Sequence, residues 1–535
     1  MRNKINSNFI IKKIKSKKGF ALLGTLILVF VVSTFGIALL TMTQNDIKLS
    51  TLQKASKETF YIAESGIEHA ISYLEEMGTP NFDTPTNPFY TEENKGWLDM
   101  GNGKYEVTIE SYSTFSYIIQ STGEMPWTNA SGKITKTIES KVILENFAMY
   151  AYFSDNEYLP VEFSGGSTTT KIWFYGEDHI RGPLHSNDRL HMAGEPTFDG
   201  TVSSAWVNPT DPTDVSYEKY DAQTDPNFNG SPGYQGGVDN IPLPEYRNIS
   251  DRGDSQSLQR IAAGSEEFID THGNGVWVPN DGSNVTDGIW VKGDVNSLTL
   301  GTTSQGNSSI TITQGSVTTT VYTLETAEIF GATTYSAGTT LIYSSSGGGS
   351  YTSRSGSFNG VLYVDGNVNN LKSTSTDGGL KGKLTIASDS TITIGDNLLY
   401  NTRVNDHNNC FNVPAGTYPD IPDSLGLVSE GNIMIDNYAP NDLEINAIIM
   451  ALGTSFYYEG WKNNMQGVLT VHGSFIQKQR GPVGTFNSWG KQSGYTKDYQ
   501  FDTRMSIDNP DLGQVLPPYF PTTGKYIKLY WKEVD

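Results

Sequence analysis

From Phe20 to Met42 the chain reads FALLGTLILVFVVSTFGIALLTM, with no charge and only Thr and Ser as polar side chains. A helix of that length covers the roughly 30 Å hydrocarbon core of a bilayer. The run is longer than the h-region of a secretory signal, about 7–15 residues, and no A-x-A-like site follows it directly. Thr43 to Glu76 then continues without a proline. Leu52, Ala55, Phe60, Ala63, Ile67, Ala70, Ile71 and Leu74 recur mostly at three- and four-residue steps, which predicts one apolar stripe. Lys54, Lys57, Glu58, Glu64 and Glu68 fall among the polar remainder, and Gly78 and Pro80 close the pattern. The expectation is a single rod of roughly 85 Å, lipid-soluble in one half and amphipathic in the other.

Residues 78–103 are rich in turn formers. Three alternating segments follow, Tyr105 to Ile109, Phe115 to Gln120 and Ile134 to Leu144, which predict an antiparallel meander packed on the amphipathic half of the rod. Beyond residue 148 the helical period disappears, apart from a short stretch at Leu258 to Ala263. Short apolar strands are instead punctuated by Gly and a small polar or acidic residue: Gly293-Asp294, Gly366-Asn367, Gly395-Asp396, Gly431-Asn432 and, more loosely, Gly473-Ser474. Glycines that tolerate positive φ, between in–out alternating strands, suit the corners of a coiled β-solenoid with irregular rungs. Residues 302–357, rich in Ser, Thr and Gly, read as one long insertion. A β-sandwich with turn glycines is the competing arrangement. The expected fold is therefore α+β: a long N-terminal transmembrane helix with a small antiparallel sheet, then a large all-β domain, a right-handed β-solenoid first and a sandwich second. The boundaries are residues 1–19, 20–77, 78–148 and 149–535.

Composition narrows the partners. Across 535 residues the formal net charge is -21 and charged residues make up only 18%, with 55 glycines. Nucleic acid is excluded as a partner, because binding it needs a basic footprint. The positive charge that exists is concentrated at the start, in Arg2, Lys4, Lys12, Lys13, Lys15, Lys17 and Lys18, which places that end on the cytoplasmic side and the bulk of the chain outside. The one cysteine, Cys410, rules out an intrachain disulfide and is assigned to structural burial.

Lys17-Lys18-Gly19-Phe20-Ala21-Leu22-Leu23 resembles the leader junction of type IV pilin-like proteins. Phe60-Tyr61-Ile62-Ala63-Glu64-Ser65-Gly66-Ile67-Glu68 resembles the helix of the PilX-type N-terminal region, so the likeness covers residues 17–77. It implies cleavage by a prepilin peptidase between Gly19 and Phe20 and N-methylation of Phe20. It also implies, as partners, the bilayer, other pilin-like subunits and an assembly platform. Most pilins carry Glu at the fifth mature position, where this chain has Gly24; related proteins without that Glu tend to be minor, tip or priming subunits. Residues 160–535 resemble a domain of unknown function (DUF4900-like) found after such N-termini, with Gly182-Pro183-Leu184-His185-Ser186-Asn187 carrying the match.

The chemistry is sparse. HExxH, the Gly-x-Ser-x-Gly elbow and the Gly-Lys-Ser/Thr phosphate loop are all absent from the sequence. In Gly176 to Gly194, His179, His185 and His191 fall six apart, with Glu177, Asp178 and Asp188 nearby. On one strand they would share a face, as a metal or hydrolytic site requires, but Gly182 and Pro183 interrupt it. Asn280 to Asn284 and Asp436-Asn437 have the oxygen donors Ca²⁺ takes, without the EF-hand spacing. No catalytic residue, metal or cofactor is expected. A compact domain of about 390 residues has a radius of gyration near 21 Å, bulk that one copy at a filament tip carries more easily than every copy along a shaft. The expected function is a membrane-anchored minor or tip pilin-like subunit for adhesion or assembly priming. The alternative is a surface-anchored β-solenoid enzyme acting on polysaccharide, with His185 and Asp188 as the residues to test.

Overall fold

The computed structural model describes residues 17–534 apart from 79, 114, 127–131, 246–247, 282–283, 304–306, 325–338, 346–351, 357, 375–377, 402–422, 488–489 and 507–514. Cys410 and most of the basic leader lie outside the described residues. The chain folds as a long N-terminal apolar helix followed by a large, mostly β region with several sheets.

The helix α1 runs Lys17–Met77 without interruption, 61 residues or roughly 90 Å. It is long and apolar enough to cross a membrane. From Ala21 to Lys54 its residues are exposed, Gly36 alone being half-buried. In the second half Ile62, Ala63, Ile67, Ala70, Ile71 and Leu74 are buried, as the three- and four-residue spacing requires. Leu52, read into the same stripe, stays 42% exposed. Gly78 ends the helix with φ 77°, its N–H donating to the Leu74 carbonyl at 2.8 Å.

The buried stripe lies on an antiparallel sheet of β1 (Trp97–Met100), β2 (Gly103–Ser113), β3 (Ser116–Pro126) and β4 (Lys133–Asn146). Val107, Ile109, Tyr117, Ile119, Ile138 and Val142 complete the shared core. Helix and sheet approach closely at two glycines. A Cβ on Gly123 would lie 2.5 Å from the Thr59 carbonyl oxygen, and one on Gly66 would lie 2.1 Å from Ser121 Oγ. The fifth strand is Thr522–Val534, from the far end of the chain, antiparallel to β4 with Ile527 opposite Ile143. The sequence boundaries leave these residues with the large domain; the structure assigns them to the small sheet. Tyr526 joins its core, and Lys136 pairs with Glu533 and Lys528 with Glu68 across the seam.

In the large region the chain alternates between two sheets. Ile289–Lys292, Val361–Asp365, Lys383–Ser388, Ser424–Ser429, Leu443–Ala451 and Met465–Gln479 pair in parallel, each with the next, in a 16-stranded sheet. Ser297–Thr302, Val368–Ser373, Ile392–Ile394, Ile433–Ile435 and Phe456–Tyr458 do the same in a 10-stranded sheet. Their apolar residues form one core, each fully buried Leu, Ile or Val contributing about 1.5–3 kcal/mol. The expected insertion is an antiparallel excursion on the second sheet, through Ser308–Gln314, Val317–Leu324, Thr339–Ser345 and Thr352–Gly356. The helix Leu258–Ala263 forms as read, with Glu266–Thr271 after it.

The expected glycine corners divide. Gly293 and Gly366 take positive φ, 89° and 143°, directly after strands of the first sheet. Gly431 comes two residues after Ser424–Ser429 of the first sheet, and Gly395 follows Ile392–Ile394 in the second sheet. Gly473 is no corner at all: it sits inside the 15-residue strand Met465–Gln479, where a Cβ would meet the Ala447 carbonyl oxygen at 2.0 Å. The irregular spacing arises because unlike positions share one local pattern. At the corners, the small polar residue binds the neighbouring turn: Asp294 Oδ1 accepts from the Asn367 N–H at 2.8 Å, and Asn432 Oδ1 accepts from the Ser455 N–H at 2.9 Å.

Candidate functional site

The stretch Gly176 to Gly194 does not form one strand. It crosses His179–Arg181, Leu184–Ser186 and His191–Ala193, and the last of these belongs to a separate 3-stranded sheet. The row of three histidines on a common face is therefore not formed, since Gly182 and Pro183 turn the chain between the first two. His179 Nε2 lies 2.7 Å from Asp199 Oδ2 at the surface. His185 is buried, with Nδ1 3.0 Å from Ser203 Oγ and Nε2 3.0 Å from Asn187 Oδ1. Burial pushes its pKa down. His191 is fully buried beside the rings of Tyr158 and Trp173, and neither ring nitrogen has a hydrogen-bond partner. Burial lowers its pKa to about 4, with Glu218 3.7 Å away. Among the described residues no group of three His, Cys, Asp or Glu side chains is placed to hold a metal.

What the motif builds is a buried polar knot. Asn187 donates to Asp155 Oδ1 and to the Ile241 carbonyl, both at 2.8 Å, and accepts from the Ile241 N–H at 3.0 Å. Asp188 accepts from the backbone N–H of Glu157 at 3.0 Å and of Arg189 at 2.7 Å. Ser186 Oγ lies 2.9 Å from Ser154 Oγ. The knot centres on two residues the sequence does not advertise, Glu157 and Arg480, 323 positions apart and both buried. Arg480 Nη1 donates to Glu157 Oε2 at 2.8 Å, and Tyr152 Oη and Ser154 Oγ donate to Glu157 Oε1 at 3.0 and 2.5 Å. The guanidinium stacks 3.7 Å from the Phe174 ring. Such a pair has no local signature, because only the pairing of Tyr152–Asn156 with Met465–Gln479 brings its members together.

Beside the knot, Lys497 Nζ donates to Asp178 Oδ2 at 2.7 Å, and the Tyr175 N–H donates to the same oxygen at 3.0 Å. Trp173, Tyr175, Asp178, Phe486 and Lys497 line a pocket of about 60 Å³, well below the roughly 300–1,000 Å³ of a usual small-molecule site. In the wall Lys497 is paired with Asp178 and Arg480 with Glu157, and these pairs join segments that are distant in the chain.

The other candidates are dispersed. Asp436 Oδ1 accepts from the Tyr438 N–H at 2.7 Å within a turn, and Asn437 Oδ1 accepts from the distant Asn464 Nδ2 at 2.6 Å. Gly282 and Ser283 of the Asn280 to Asn284 cluster lie outside the described residues. Gly19 and Phe20 fall in the first turn of α1, their side chains outside the described set.

Residues 111–206 match a protein family described as a domain of unknown function, DUF4900. The matched segment differs from the 160–535 expected. It starts at the end of β2 and closes after Val202–Ser204, so it spans β3, β4, Tyr152–Asn156 and the whole Gly182 to Asn187 motif. The DUF4900 match thus coincides with the joint between the small sheet and the large region, Glu157 and Asp188 included. No curated protein and no solved structure matches the chain.

Proposed function

We propose that this chain is a membrane-anchored, pilin-like minor or tip subunit that presents a large β-domain outside the cell, for adhesion or for priming filament assembly. The observation that carries the proposal is the two-part use of one unbroken helix. α1 exposes an uncharged apolar half and, without a break, packs its second half on an antiparallel sheet. A free apolar half needs lipid or other helices around it. The positive residues before it favour a single-pass arrangement with the C-terminal bulk outside. The bulk of the β-region favours one copy at a tip over many along a shaft.

Within this proposal the alternating sheets are successive coils of a right-handed solenoid. Support comes from the in-register parallel pairing on both sheets and from the right-handedness that governs nearly all parallel crossovers. Intact-mass analysis of membrane-extracted protein tests the processing. A chain beginning at methylated Phe20 is expected, and one that keeps residues 1–19 overturns the pilin-like assignment. Immunogold labelling of isolated filaments tests the position, with label at ends expected and uniform shaft label against it.

A further inference from the structure

On the outer face of the 16-stranded sheet, parallel pairing stacks three carboxyl groups. Val364 lies opposite Ser388, and Ser388 opposite Ser429, so the next residues, Asp365, Asp389 and Glu430, form one column. Adjacent strands are about 4.8 Å apart, close enough for like charges to repel strongly in a half-buried setting. Lys292 heads the column opposite Asp365, but its ammonium donates to the His272 carbonyl at 3.0 Å. Tyr363 shares the face, two residues before Asp365. Its side chain is fully buried, with Ser250 beside its hydroxyl.

The column lies under a cover. Ser250 Oγ donates to Glu430 Oε1 at 2.6 Å, and the Gln259 N–H donates to the Ile249 carbonyl at 2.9 Å, which ties Ile249 and Ser250 to the helix Leu258–Ala263. That helix packs on Ile289–Lys292 and Val361–Asp365, over buried Trp290 and Tyr363.

We propose that Asp365, Asp389 and Glu430 form an acid-tuned clasp, which holds the 249–263 cover on the sheet while one proton is kept among them and loosens it when that proton leaves. Independent support comes from the environment of Asp389. Burial first, and then Asp365 and Glu430, push its pKa up to about 7. The same three carboxylates and burial push Tyr363 far above its ordinary range, so its hydroxyl stays protonated. Among the described residues, the titratable groups facing Asp389 are thus Asp365, Glu430 and Tyr363, with Lys292 at the head of the column. The folded state keeps a proton that an unfolded Asp loses near pH 4, so cohesion is full in acid and falls as pH rises through 7.

Hydrogen exchange of the full chain in detergent, corrected for intrinsic rates, tests this at pH 6 and pH 8.5. In the wild type, amides 258–263 should exchange about three- to tenfold faster at the higher pH, while Leu443–Ala451 stays equally protected. Asp389→Asn mimics the protonated acid and should abolish the difference. Asp365→Asn should shrink the difference without abolishing it, because burial and Glu430 still act on Asp389. Equal exchange of the wild type at both pH values overturns the proposal, as does either variant retaining the wild-type ratio.

Discussion

The small helix–sheet unit and the large parallel region are stabilised by contacts of different reach. In the small unit most partners are near in sequence. β2 pairs with β3 and β3 with β4, each with the next strand in the chain, and Ile109 faces Ile119 ten positions away. In the large region every parallel pairing skips at least one other strand. Its polar centre joins Glu157 to Arg480 across 323 positions. The small unit therefore resembles a local fold closed by one distant strand, whereas the large region, its antiparallel hairpins apart, rests on more distant contacts. A lesion in the first should stay in the first, and a lesion at the knot should spread.

The sharpest way to break this contrast is Arg480→Met. It leaves the Glu157 carboxylate buried without its cation, and removing one partner of a buried pair costs about 3–5 kcal/mol. Loss of the second half of the main thermal transition is expected, with α1 and β2–β4 still protected in hydrogen exchange. Uniform loss of protection in both regions would show that they fold as one. Next in size is Ile67→Ala, which opens a cavity between α1 and the sheet at a cost of about 2–4 kcal/mol. It should lower the stability of the small unit alone, measured by exchange of β3 amides, and leave Leu443–Ala451 unchanged.

The same contrast explains what the sequence reveals. Ala63, Ile67, Ala70, Ile71 and Leu74 are legible because a helix repeats within a few residues, and all are buried. Leu52 follows the same spacing but remains exposed, because periodicity marks a face and not how far the partner extends. Strand existence is legible from alternation; strand pairing is not. Nothing near Gly473 distinguishes a mid-strand glycine from a corner, since its reason is the Ala447 carbonyl on the neighbouring strand. Thr522–Val534 reads as a strand of the large domain because its partner, β4, lies far back in the chain. The histidine motif marks the right place but not its main pair: His185 and His191 are buried and His179 is at the surface, while Glu157 and Arg480 form the buried ion pair.

A smaller effect separates the regions by pH. His191 has its pKa lowered to about 4 by burial, below the roughly 6.5 of an exposed imidazole. Between those values the unfolded chain takes up a proton that the folded one refuses. The contribution of His191 to the stability of the large region should therefore fall as pH drops from about 6.5 towards 4, opposite in sign to that of Asp389. His191→Phe should flatten that part of the curve in denaturant titrations at pH 4.5 and 7. An unchanged slope would remove His191 from the account. Among the described residues, no histidine lies in the buried core of the small unit.

The smallest structural effect is expected where the functional consequence is greatest. Gly24 lies in the exposed half of α1, and a Cβ there would meet nothing within 4 Å. Gly24→Glu should leave the stability of both regions within about 0.5 kcal/mol of wild type. It would nonetheless place a carboxylate in an otherwise uncharged apolar run, and an ionisable group in lipid requires a partner. If α1 packs with other pilin-like helices, the new carboxylate gains a docking contact with a neighbour's terminal amine and the protein should spread from filament ends into the shaft, visible as internal immunogold label. If α1 is only an anchor, the same change should weaken membrane retention and leave filaments unlabelled. The fold is indifferent to this position, so any change in location reports on the helix's partners and not on its structure.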